Sequence, residues 1–304
     1  MAQHTDLEKE SVLAIAYMQV ELHIISEDPE GLPQLNLNKE IIMLGAIIGD
    51  IVGSVYEFNN VRRKDFRLFL EQSTFTDDSV LTCAVADILM NHKNENNEEI
   101  ANVLKKWARM YPNRGYGYRF YNWIFQESCL PYGSIGNGAV MRISPCGWLG
   151  KNEGEVKEYA SLVTNLTHNS KQALIGAEVV SLCIYYLRKG KDKKFIKDFV
   201  SNYYDLNLNY ESLRKENKFS EITCETVPQA IYCFLISESF EDCLRTTVSI
   251  GGDTDTLCAV SCALAEVYYG IPENLKKEAL LRLPKSMIKL INQFENEVKF
   301  MEVK

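Results

Sequence analysis

Apolar residues along this chain recur at three- and four-residue intervals over most of its length, the period of helices that bury one face. The pattern predicts helices over 41–56, 79–91, 97–110, 117–127, 153–164, 170–188, 193–203, 228–237, 240–249, 256–269 and, with interruptions, 273–301. No series of alternating strands competes with them. The expected fold class is therefore all-α, a compact multi-helix bundle. Two segments depart from the one-sided pattern. Leu257, Cys258, Ala259, Val260, Cys262, Ala263, Leu264 and Ala265 leave no polar stripe before Glu266, and a helix apolar on all sides is a buried helix. The run from Ile41 to Tyr56 is the most hydrophobic of the chain, with Gly45, Gly49 and Gly53 forming a bare stripe that lets another helix come close. It is interrupted by Asp50 and is shorter than the ~20 residues of a membrane span, so it reads as a core helix. The segment 79–91 reads as an ordinary amphipathic helix whose face is Leu81, Val85, Ile88 and Leu89.

Proline and glycine punctuate these patterns. Pro228 is placed in the first turn of its helix, Gly270-Ile271-Pro272 stops the buried one, and Pro284 divides the last segment, whose stripe is Met287, Leu290, Ile291, Phe294, Val298 and Met301. The polar stretch 189–220 reads as exposed helix and loop. Residues 1–40 stand apart as an N-terminal helical extension to a main domain spanning 41–304. A helix over 7–25, carrying Val12, Leu13, Ile15, Ala16, Val20 and Ile24, is broken by Asp28-Pro29-Glu30-Gly31-Leu32-Pro33.

Composition narrows the classes. With 33 basic against 41 acidic residues the 304-residue chain carries a net charge of −8, and no basic stripe with interleaved aromatics marks it for nucleic acid. The nine cysteines are odd in number and lack CxxC spacing, so they read as reduced thiols of an intracellular protein. The four histidines, at 4, 23, 92 and 168, form no zinc-ligand spacing. Met1 to Glu8 contains no basic leader, so no secretory signal is expected. The expected location is cytoplasmic, with no membrane partner.

The candidate chemistry lies in two acidic clusters, Phe75-Thr76-Asp77-Asp78-Ser79 and Gly251-Gly252-Asp253-Thr254-Asp255-Thr256, each leading a helix. Taken singly, each is an ordinary helix start, because Asp and Thr oxygens cap free backbone N–H groups. The second, however, leads a buried helix with no basic residue of its own, and buried charges must be paired or coordinate a metal. Together the clusters supply hard oxygen donors of the kind Mg²⁺ or Ca²⁺ takes.

Read with Gly49-Asp50-Ile51-Val52-Gly53-Ser54-Val55-Tyr56-Glu57-Phe58 and Gly133-Ser134-Ile135-Gly136-Asn137-Gly138-Ala139-Val140-Met141-Arg142, the clusters resemble the ADP-ribosylglycohydrolase family over about 43–285. The resemblance implies that family's compact all-α fold and a centre of two Mg²⁺ ions, or Mn²⁺. It implies Thr76, Asp77, Asp78, Asp253, Asp255 and Thr256 as metal ligands, Glu57, Asp77 and Asp255 as catalytic, and Ser134, Gly136, Asn137, Gly138 and His168 as substrate-binding. Read without it, Glu57 is a solvated acid past an apolar helix, the glycine-rich segment a turn, and His168 a hydrogen-bonded structural residue. Asp50 either supports the metal ligands or caps within the core. The implied activity is hydrolysis of an ADP-ribosyl bond, with arginine-linked ADP-ribose on protein first among the substrates. Serine-linked, polymeric and O-acetylated ADP-ribose are the alternatives, along with a non-catalytic ADP-ribose binder. The extension 1–40 either packs on the protein's own body or docks an ADP-ribosyltransferase.

Overall fold

In a computed structural model, residues 42–303 are described. The extension 1–40, with its expected helix and docking role, lies outside them. The described residues contain fourteen α-helices and no β-strand. Among them a single antiparallel bridge pairs Gly136 with Ile222. No helix among them is long and apolar enough to cross a membrane.

The centre of the bundle is a pair of helices, α1 (Leu44–Gly53) and α12 (Thr254–Tyr269). Every residue of α1 is buried, and α12 is buried from Thr254 to Glu266, as the absence of a polar face predicts. The glycine stripe explains how they meet. A Cβ at Gly45, Gly49 or Gly53 would lie 2.5, 2.3 or 2.5 Å from backbone atoms of α12, so the two backbones touch where side chains would normally intervene. Glu266 closes the far end of the pair. Its two carboxyl oxygens accept the Leu44 and Gly45 N–H groups at 3.1 Å each, satisfying free donors of the first turn of α1.

Around this pair stand α2 (Asp77–Asp87), continued by a π-helical turn at Ile88–His92, α3 (Asn97–Met110), α4 (Tyr118–Phe125) and α5 (Ser144–Leu149). Next come α6 (Glu153–Asn165), α7 (Lys171–Arg188), α8 (Lys193–Val200) and α9 (Tyr210–Glu216). The chain closes with α10 (Thr223–Ile236), α11 (Phe240–Ile250), α13 (Glu273–Leu280) and α14 (Lys285–Val303). Side-chain caps fix several starts. Asn96 accepts from Glu98 and Glu99 N–H and completes a capping box with Glu99, while Asn152, Ser170, Asp192 and Ser239 each accept one N–H of their helix.

Three expectations change. The segment read as amphipathic, α2, is buried on all sides from Asp78 to Ala86, because α1, α3, α5 and α14 pack around it. Pro228 lies inside α10 rather than in its first turn. That helix starts earlier because Thr223 is tied to the glycine-rich loop: its N–H donates to the Ile135 carbonyl at 3.1 Å and its hydroxyl to the Gly136 carbonyl at 2.7 Å. Helix α1 ends at Gly53 rather than Tyr56, where the Thr254 hydroxyl donates to the Gly53 carbonyl at 2.8 Å. All nine cysteines are free, and all but Cys129 and Cys224 are buried.

Candidate functional site

Two helix N-termini and one loop converge on a single cavity. The first terminus is that of α2. Thr76 stands at its N-cap in extended backbone, and Asp77 and Asp78 form its first turn. Asp50 in α1 fixes this turn from behind. It accepts the Thr76 N–H at 2.9 Å, the Thr76 hydroxyl at 2.7 Å, the Ser79 N–H at 3.1 Å and the Ser79 hydroxyl. Of the two roles left open for Asp50, the geometry is that of a support for the acidic turn. Gly49 places the α1 backbone against α12 one residue earlier, so the same helix positions both clusters.

The second terminus is that of α12. Gly251 and Gly252 lead into it at φ of 66° and 89°, a left-handed conformation that side chains with a Cβ disfavour. Asn60 locks the turn by accepting the Gly252 N–H at 2.9 Å and donating to the Gly252 carbonyl at 3.2 Å. Arg62 donates to the Ile250 carbonyl. Asp253, Asp255 and Thr256 are all buried. The Asp255 carboxylate accepts the Thr256 N–H at 2.9 Å.

The glycine-rich loop joins them from the side. Asn137 Nδ2 donates to Asp253 at 2.7 Å and to the Thr226 hydroxyl at 3.2 Å, so the loop is tied directly to the second cluster. Ser134 Oγ accepts the Gly136 N–H at 3.1 Å. His168 lies behind the loop. Its Nε2 is 3.2 Å from where a Cβ on Gly138 would stand.

The resulting cavity, about 530 Å³, is lined by every metal, catalytic and substrate-binding residue that the resemblance implies: Glu57, Thr76, Asp77, Asp78, Ser134, Gly136, Asn137, Gly138, His168, Asp253, Asp255 and Thr256. Carboxyl oxygens of Glu57, Asp253 and Asp255 lie within 4.8 Å of one another. Burial, then the charge of Asp255, raises the Asp77 and Asp78 carboxyls well above the ordinary range. Burial, then Asp253, does the same to Asp255. Glu57 is pushed up to about 8 by burial first, then by Asp255, Glu221 and Asp50. Asp78 Oδ1 is buried without a hydrogen-bond partner. An excess of hard, mutually repelling oxygens with an unpaired member fits a bound cation.

Several lining residues were not visible in the helical pattern. Tyr118, 82% exposed, and Arg119 stand on the lip at the start of α4, and Tyr132, Arg142 and Glu221 also line the cavity. Arg119 lies over the Tyr132 ring, 4.9 Å from its centroid. The lip falls at the start of the helix expected over 117–127, and the sequence signal that could mark it is the Gly115-Tyr116-Gly117-Tyr118-Arg119 run, aromatic and basic residues beside glycines.

Comparison with known proteins agrees with this architecture. The family model of the ADP-ribosylglycohydrolases matches residues 41–299. The chain is 25% identical to ADP-ribosylhydrolase ARH3 of Homo sapiens, the match covering 76% of this chain and 85% of that protein. It is 22% identical to ADP-ribosyl-[dinitrogen reductase] glycohydrolase of Rhodospirillum rubrum over 76% of this chain and 85% of the relative. Among solved structures, an ADP-ribosylglycohydrolase-related protein complex has the same fold, with a TM-score of 0.59 at 21% identity, covering 84% of this chain and 93% of the matched one. With the family model spanning nearly all the described residues and two acid-bearing helix starts meeting a glycine-rich loop in one cavity, the chain belongs to the ADP-ribosylglycohydrolase family, hydrolases of ADP-ribosyl bonds.

Proposed function

We propose that this protein is a divalent-metal-dependent enzyme that cleaves the N-glycosidic bond between ADP-ribose and an arginine side chain of a modified protein, releasing free ADP-ribose. The observation that carries this reading is the meeting of both acidic clusters and the glycine-rich loop in one cavity. The loop suits a diphosphate, since glycines let backbone N–H groups approach phosphate oxygens. The acidic end suits a metal and a cationic acceptor, because Glu57, Asp77 and Glu221 add carboxylates to the same walls. The name of the Rhodospirillum rubrum relative describes a protein-linked substrate, which supports the same choice here.

Thr76, Asp77, Asp78, Asp253, Asp255 and Thr256 would hold two Mg²⁺, or Mn²⁺. When bound, such ions would supply positive charge that orients the ribose hydroxyls and lowers the pKa of bound water. Ser134, Gly136, Asn137, Gly138 and His168 hold the diphosphate and ribose. Asp77 and Asp255, on opposite helix starts, set the orientation of the ribose. Glu57 handles the proton. It removes one from the attacking water as the oxygen bonds to the anomeric carbon, and returns it to the departing guanidine nitrogen. Its carboxyl lines the same cavity as both acidic clusters, which places it for that exchange.

The test is release of free ADP-ribose from ADP-ribosylarginine with Mg²⁺, beside chelated protein and Asp253→Ala. Release lost in both controls is the expected result. No release from folded, metal-loaded protein overturns the arginine assignment and directs the assay to serine-linked, polymeric and O-acetylated substrates. Binding of ADP-ribose that chelation abolishes, without product from any of these, identifies a binder. Release of AMP identifies phosphoryl chemistry instead.

A further inference from the structure

Behind the glycine-rich loop, His168 adjoins two polar side chains that the proposed reaction does not use, Arg142 and Thr167. Arg142 is among the largest fully buried side chains of the protein. Its Nη2 donates to the Thr167 hydroxyl at 2.8 Å and to the Val163 carbonyl at 3.3 Å, while Nε and Nη1 have no partner. A buried guanidinium with two open donors and no carboxylate bound to it is costly. It requires a compensating role.

Thr167 Oγ1 is also 2.7 Å from His168 Nδ1, and Thr167 is fully buried. A hydroxyl has one hydrogen and two lone pairs. Guanidinium only donates, so Arg142 occupies one lone pair of Thr167. The Thr167 hydrogen then goes to Nδ1, the acceptor that stands within hydrogen-bond distance of it. The reverse arrangement, with Nδ1–H donating to Thr167, fills the second lone pair and leaves the buried Thr167 hydrogen with no acceptor at hydrogen-bond distance among the described residues. The first arrangement leaves the ring proton on Nε2. That atom sits beside the bare Cα positions of the loop, 3.2 and 3.8 Å from where Cβ atoms on Gly138 and Gly136 would stand.

We propose that Arg142 and Thr167 are positioning residues that hold His168 as its Nε2–H tautomer, presenting that N–H to a phosphoryl oxygen of a nucleoside-diphosphate ligand. The identity of the ligand rests on the function proposed above; the relay itself does not. Burial, with the charges of Arg142 and Arg119 added to it, holds the His168 imidazole well below its ordinary pKa, so the ring is neutral and its tautomer matters. A neutral ring bearing hydrogen on Nε2 donates to an anion, whereas the other tautomer would turn a lone pair toward it. The buried positive charge of Arg142 polarises the chain of donors in the same direction.

The experiment is long-range ¹H–¹⁵N correlation of ¹⁵N-histidine-labelled, Mg²⁺-loaded protein at pH 7, with His168→Gln used to assign the signal. The expected result is a bare Nδ1 and a protonated Nε2. A protonated Nδ1, an imidazolium or an even mixture overturns the proposal without any need for a variant to fold. Thr167→Val, which keeps shape and loses the hydroxyl, is expected to mix the tautomers and weaken ADP-ribose about tenfold, leaving adenosine affinity unchanged. Thr167→Ser is expected to restore both. A Thr167→Val protein with wild-type tautomer and affinity refutes the relay. Wild-type protein that binds no ADP-ribose refutes the functional reading, while the tautomer measurement still decides the relay.

Discussion

Replacing Gly49 by alanine tests the central packing argument. An ideal Cβ at Gly49 lies 2.3 Å from the Cys258 carbonyl oxygen, 2.4 Å from its carbon and 2.8 Å from the Ala259 nitrogen, where ordinary contact begins at 3.4 Å. All three atoms are helix backbone, so no side chain can rotate aside, and α1 must move about 1 Å from α12. Because α1 is buried at every residue, that movement overpacks its far side and opens a gap between the helices. A gap of this size forfeits a quarter to a half of each affected contact's dispersion energy. Overpacking costs about 1–3 kcal/mol and sometimes more, and the rigid neighbours place this site at or above the top of the range. Alanine's advantage over glycine in a helix returns about 1 kcal/mol, leaving a net loss of about 2–4 kcal/mol. For a domain of this size that corresponds to a Tm lower by about 5–15 °C, measurable by calorimetry or circular dichroism. Gly117→Ala is the control. Its Cβ would meet nothing within 4 Å and its φ of −56° suits any residue, so a change within about 0.5 kcal/mol is expected. A Gly49→Ala protein as stable as wild type would refute the claim that the glycine stripe sets the helix spacing.

Other outcomes follow from the same geometry. Asp50→Asn replaces one of the two oxygens that hold Thr76 and Ser79, and is expected to weaken Mg²⁺ binding about 10–100-fold; calorimetric titration giving wild-type affinity would contradict its supporting role. The raised carboxyls of the metal-free cluster, and Glu266, pushed up to about 8 by burial, bind protons in the folded state that the unfolded chain has released. Stability of chelated protein is therefore expected to fall as pH rises from about 5 to 8. Added Mg²⁺ is expected to flatten the part of that slope due to the cluster, and a melting-temperature series in which chelated protein gains stability toward pH 8 would reverse the sign. Glu266→Gln leaves only one acceptor for the Leu44 and Gly45 N–H groups, with an expected loss of about 1–3 kcal/mol in denaturant unfolding. Lys105→Met strips the Gln126 and Ser128 carbonyls of the buried ammonium they accept from at 2.8 Å each, and a similar loss is expected, checked the same way.

The helices were largely legible along the chain, because burying one face of a helix is a local, periodic requirement written at three- and four-residue spacings. The span 97–110 coincides with α3, and the apolar run after Thr256 became the buried half of the central pair. The glycine stripe announced a close neighbour, though not which one. Periodicity failed where the surroundings rather than the residue spacing set the outcome. Polar Ser79 and Thr82 make α2 look one-sided, yet its neighbours enclose it, and Pro228 was carried into a helix whose start is held by the glycine-rich loop. The acidic clusters and the loop were visible as motifs, but their meeting depends on contacts between residues up to two hundred positions apart. Asp50 behind the first cluster, Asn137 bridging to Asp253, and the Arg142–Thr167–His168 chain have no local signature. Local propensity chooses which residues form a helix, since each hydrogen bond of its ladder spans only four residues. Which helices meet, and which charges share a cavity, is decided by close packing of the whole, and there a missing Cβ on one helix sets the position of a carboxylate on another.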